Sequence, residues 1–131
     1  MSEDPLDKLI IDENKNLDIA LLASLVGGFL KFTREGEIVF EREFYKLRDW
    51  QKNLIYLLGR KIIFIKKLKQ NFKEEIAPRE ISKILGIPAT SITRCAIREL
   101  KGIIKSENGL YKIPNYTLYK CEEIFKNIKK K

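Results

Sequence analysis

The chain has 131 residues, 44% of them hydrophobic, enough for one globular unit and a small appendage. It carries a net charge of +8, no histidine and two cysteines without a CxxC pair, which excludes histidine-based catalysis and the usual zinc sites. The charge is unevenly divided: residues 1–59 hold 8 Lys/Arg against 11 Asp/Glu, whereas residues 60–131 hold 18 against 7. Any polyanion-binding surface is therefore expected in the second half.

Residues 1–16 are acidic, with Glu3, Asp4, Asp7, Asp12 and Glu13 opposed only by Lys8 and Lys15, and they read as a loose arm or short helix. The apolar run from Ile19 to Leu30 is too short and too poorly flanked for a signal peptide or membrane span, so no membrane and a cytoplasmic location are expected. Abundant Lys and Ile with scarce Gln suggest a thermophile or an AT-rich genome.

Residues 17–46 read as a helix and β-hairpin extension. Leu17 to Val26 is apolar enough for a buried helix that Gly27-Gly28 stops. Residues 29–33 and 38–44 then alternate as strands about a turn at Arg34-Glu35-Gly36-Glu37. Gly27-Gly28 is no phosphate loop, because neither Lys-Ser/Thr nor GxGxxG spacing accompanies it. From Leu47 to about Phe72 apolar residues keep helical spacing, although the run Ile62-Ile63-Phe64-Ile65 also suits a strand. Gly59 inside that helix implies a close contact or a break.

Residues 77–113 carry the main motif. Pro78 to Leu85 forms a short helix with Ile81, Ile84 and Leu85 on one face, ended by Gly86, and Gly86-Ile87-Pro88 turns the chain. A second helix over 90–101, capped by Thr90 or Ser91, places Ile92, Ala96 and Leu100 inward at about 100° per residue. Thr90, Ser91, Arg94, Arg98 and Lys101 lie outward, and Cys95 lies near the buried side. Residues 103–106 and 110–113 read as a hairpin about Glu107-Asn108-Gly109, ended by Pro114, with residues 75–77 as a possible third strand.

Pro78-Arg79-Glu80-Ile81, Leu85-Gly86-Ile87-Pro88, Ser91-Ile92, Arg98-Glu99-Leu100 and Gly102-Ile103-Ile104 resemble the winged helix-turn-helix domains of archaeal and bacterial transcription regulators. The resemblance covers the second half of the chain, with the winged unit at 47–116. It implies that helix 90–101 enters a major groove and that wing 103–113 touches the backbone or minor groove. The expected fold is thus α+β, mainly helical: a winged helix-turn-helix with an N-terminal helix and hairpin and a C-terminal amphipathic helix over 117–131. That last helix has a stripe of Leu118, Cys121, Ile124, Phe125 and Ile128, which either docks on its own domain or pairs with a second copy.

The resulting expectation is a DNA-binding protein, a transcription regulator acting on double-stranded DNA, either monomeric or a homodimer through helix 117–130 or the N-terminal half. Arg94 and Arg98 are the expected base-edge contacts, because guanidinium addresses guanine in bidentate fashion. Thr90, Ser91 and Thr93 are expected on phosphates near the helix N-terminus, and Lys101, Lys105 and Lys112 on the backbone. No cofactor, metal or catalysis is expected: there is no nucleophile elbow or Walker loop, and Glu74-Glu75 and Glu122-Glu123 read as surface charges. Two other readings stay open, a protein-interaction module on a winged-helix scaffold and an RNA binder using Tyr111, Tyr116 and Tyr119.

Overall fold

The computed structural model describes residues 6, 19–87, 93, 98, 100 and 102–129. The acidic arm, apart from an exposed Leu6, lies outside them, as do residues 88–92 and Cys95. The architecture is α+β and mostly helical, with two separate two-stranded antiparallel hairpins.

Helix α1 (Ile19–Val26) buries Leu22, Leu25 and Val26, and Gly28, at φ 94°, takes the backbone beyond it. Strands β1 (Leu30–Phe32) and β2 (Ile38–Phe40) pair Leu30 with Phe40 and Phe32 with Ile38. Their turn is closed by the Glu37 amide donating to Thr33 Oγ1 at 3.0 Å, with Gly36 at φ 85°. The second strand is shorter than expected, because residues 42–46 wind into a 3-10 turn that buries Phe44 against Phe40, ring centroids 4.7 Å apart.

Helix α2 (Asp49–Ile65) is the central element, with Leu54, Ile55, Leu57 and Leu58 at most 1% exposed. Its start is capped by Gln51 Oε1, which accepts the Arg48 amide at 2.8 Å. Residues 62–65 are helical, so the alternative strand there is not formed. The helix stops at Ile65 rather than near Phe72. Lys67 turns to φ 53°, its amide donates to Phe64 O at 3.3 Å, and the Leu68 amide donates to Ile63 O at 3.1 Å, the paired bonds of a Schellman closure. Gly59 marks a close contact and not a break: a Cβ there would stand 2.7 Å from Leu30 Cδ1.

Side chains of α2 hold the loop beyond its end. Arg60 donates to the carbonyls of Lys73 (2.6 Å) and Glu74 (3.0 Å), with its guanidinium 4.5 Å from the Phe72 ring centroid. Lys61, 3% exposed, meets Glu74 at 2.8 Å and donates to Asn115 Oδ1 at 2.7 Å. Glu74, expected at the surface, is therefore a buried ion-pair partner; the need to match Lys61 overrides its own solvation.

Helix α3 (Pro78–Leu85) starts on Pro78 and ends at Gly86, φ 71°. Ile81 is fully buried, but Ile84 is 45% exposed and Ser82 takes an inward position instead. Strands β3 (Lys105–Glu107) and β4 (Leu110–Lys112) pair around Asn108-Gly109, whose φ values of 53° and 76° are both positive as a two-residue hairpin turn of the mirror-image type needs. The expected third strand is a single bridge, Ile76 and Tyr111 exchanging both backbone bonds at 3.0 and 2.8 Å. Ile103 and Ile104 precede the strand, their amides donating to Leu100 O.

Helix α4 (Leu118–Lys129) follows a 3-10 turn at Asn115–Thr117 and packs against α1. Leu118 and Cys121 enter the common core, and Ile124 packs against it. One cluster joins α1, α2, α3, α4 and the residues flanking β3 and β4.

Candidate nucleic-acid interface

The expected DNA-facing segment is bounded by α3 before it and the β3–β4 hairpin after it. Thr90, Ser91, Arg94 and Lys101 lie outside the described residues. Thr93 and Arg98 are both helical, whereas Leu100, fully buried, already lies in a turn and not in the helix expected to run to 101.

Thr93 does not occupy the surface position expected of a phosphate contact. It is 0% exposed, and its hydroxyl stands 2.5 Å from that of Ser82, itself 5% exposed. In the projection Thr93 follows the inward Ile92, and the hydroxyl that made it resemble a phosphate ligand is satisfied by α3. The pair joins Thr93 to α3. Arg98 is exposed.

Beyond Gly102, at φ 89°, the hairpin brings Lys105 and Lys112 directly opposite one another. They border a shallow hollow of about 270 Å³ together with Glu75, Glu107, Asn108 and Leu110. Lys105 and Lys112 thus face one another, and beside them stand Glu75, expected in the third strand of the wing, and Glu107, expected in its turn but placed in β3. The signal for Glu107 was available in the strand alternation: two residues from Lys105, it shares its face.

The base of the hairpin is firmly tied. Thr117 Oγ1 donates to Ile103 O at 2.9 Å, and Lys120 Nζ donates to Gly102 O at 3.1 Å. Of the tyrosines considered for base stacking, Tyr119 is 58% exposed and Tyr111 is half-buried in the backbone bridge to Ile76. Among the described residues no group of three or more Cys, Asp or Glu stands close enough to hold a metal ion, and no helix is long and apolar enough to cross a membrane.

The class defined at this point is a mostly helical α+β chain with a lysine-bearing hairpin. No protein-family model, characterised protein or solved structure matches it.

Proposed function

We propose that the protein binds double-stranded DNA as a winged helix-turn-helix regulator, with segment 90–101 in the major groove and wing 103–113 along the backbone. The observation that carries this reading is the direct cross-strand pairing of Lys105 with Lys112, in the hairpin that follows a helix exposing Arg98. Directly opposite residues of a hairpin share one face, so a single polyanion backbone can reach both lysines. The excess of 18 cations over 7 anions in residues 60–131 supports the same polyanion.

In this reading Arg94 and Arg98 address base edges, Thr90 and Ser91 hold phosphates, and Lys101, Lys105 and Lys112 contact the backbone. Thr93 acts from the interior by holding the recognition helix to α3. Glu75 and Glu107, which border the same hollow, repel phosphates and narrow the positions at which a strand can lie. The protein is read as a binder without catalysis. A homodimer would use a surface other than the Leu118 and Cys121 side of α4, which its own core occupies.

The test is fluorescence anisotropy with a mixed pool of labelled duplexes over a salt series. Each phosphate contact contributes about 0.9 to the logarithmic salt slope, so Lys105→Ala/Lys112→Ala should lower the slope by about 1.8. Arg94→Ala/Arg98→Ala should reduce affinity most for the duplexes that wild type selects, and Glu107→Gln should strengthen binding to all sequences alike. Absence of binding by wild type at low salt would overturn the reading.

A further inference from the structure

Residues 50–73 contain seven Lys or Arg and not one Asp or Glu. Two of the seven are engaged inside the fold: Lys61 in its buried ion pair and Arg60 on the carbonyls of residues 73 and 74. Of the other five, Lys52 is half-buried and Lys66, Lys67, Lys69 and Lys73 lie on the surface around and beyond the end of α2.

Beside Lys67 and Lys69 the surface carries apolar side chains together with Gln70 and Asn71. Phe64, 50% exposed, borders a hollow of about 470 Å³ with Ile65 and Phe72. A second hollow of about 270 Å³ shares Lys69 and Phe72 with the first and continues past Ile38 and Phe40 to Ile84, 45% exposed on α3. The two hollows adjoin at Lys69 and Phe72 and together outline a groove. Its single carboxylate, Glu37, is paired with Lys69 at 3.3 Å. The groove is built on fixed backbone: the Schellman closure at Lys67 and the grip of Arg60 on the returning chain. It shares no residue with the hollow at the wing.

We propose that this groove is a docking site for an acidic amphipathic helix of a protein partner. An apolar channel receives the apolar stripe of a helix through anchors at i, i+3 or i+4, and i+7. The lysines along its edge select carboxylates on the flanks of that stripe, and they steer the encounter at low salt. A lipid surface is a poorer match, because the apolar side chains line a concavity instead of forming a projecting face. The inference is independent of DNA binding, since it uses none of the proposed DNA contacts.

The probe is a fluorescein-labelled helix-forming peptide with Leu at i, i+3, i+4 and i+7 and Glu on its other faces. Its control has the same composition, scrambled so that the leucines share no face. The full chain should bind the striped peptide about tenfold more tightly than the control, a difference of about 1.4 kcal/mol. Phe64→Ser should remove that preference, and so should Ile84→Ser, an independent change on α3. Lys67→Glu/Lys69→Glu should weaken both peptides. Equal affinity for the two peptides would overturn the proposal, as would preference surviving both serine substitutions. Binding to phosphatidylserine vesicles that is lost in Phe64→Ser, without preference for the striped peptide, would also overturn it and assign the groove to membranes. Anisotropy with duplex DNA is run on the same variants: Phe64→Ser and Ile84→Ser should leave it unchanged, so the two readings fail separately.

Discussion

Lys61 and Glu74 form the most demanding polar contact in the described structure, because both side chains are nearly sealed from water. Removing one partner strands the other charge in the core. Lys61→Met is therefore expected to cost about 3–5 kcal/mol in urea denaturation, and Lys61→Met/Glu74→Leu to recover much of that loss. Cys121 illustrates a different consequence of burial. Desolvation pushes its thiol up from 9.0 to about 12, only partly offset by a backbone hydrogen bond and by the charge of Lys61. A raised folded value means that the native state holds the proton more tightly, so this contribution to stability is complete below pH 9.0 and is lost as pH rises toward 12. In a Cys95→Ala background, Cys121 should resist thiol reagents at neutral pH until the chain unfolds, and the stability advantage over Cys121→Ala should shrink through that alkaline window. Neither residue's role was legible beforehand. Glu74 next to Glu75 has the composition of a surface pair, and nothing local shows that Lys61, thirteen positions away, turns inward to meet it.

At the scale of elements, what depends on neighbours in the chain was legible and what depends on distant packing was not. The boundaries of α3 follow from Pro78 and Gly86, and the β3–β4 turn follows from Asn108-Gly109, because each signal acts on its own backbone. The length of α2 did not follow. The spacing of Leu68 and Phe72 continues a helical pattern, yet Lys67 adopts φ 53° and Arg60 draws the chain back, an interaction set by tertiary structure. Thr93 follows the same rule: its hydroxyl suits a phosphate contact by sequence, and only the distant Ser82, which it meets in the interior, shows otherwise. Gly59 was read as a contact or a break, and Leu30 decides between them. Gly59→Val should force α2 away from β1 and cost about 1–3 kcal/mol of stability by thermal or urea denaturation, despite the better helix propensity of Val over Gly.

Across the whole molecule, the first half is not an independent appendage. Leu22, Leu25 and Val26 of α1, Leu30 of β1 and Phe44 share a core cluster with Ile81, Leu100, Ile113 and Leu118. Trp50, the single tryptophan, packs against the same cluster from the start of α2. Unfolding should accordingly be one event: Trp50 fluorescence and far-ultraviolet circular dichroism should give coincident urea transitions, and two separated midpoints would refute a shared core. The division into an acidic and a basic half is thus a division of surface and not of folding. The candidate DNA contacts and the apolar groove belong to different parts of that surface, carried by one interior.

The fit of Gly59 against Leu30 also bears on how sequences of this architecture can diverge. Because a methyl group at position 59 would meet Leu30 Cδ1 at 2.7 Å, the two positions share a fixed volume. Chains descended from a common ancestor with this one should keep glycine at the first whenever the second is leucine. They should accept alanine there when the strand residue shrinks to valine or alanine. Such paired replacement, about thirty positions apart in sequence, would mark relatives of this fold even where the recognition segment and its cations have changed beyond comparison.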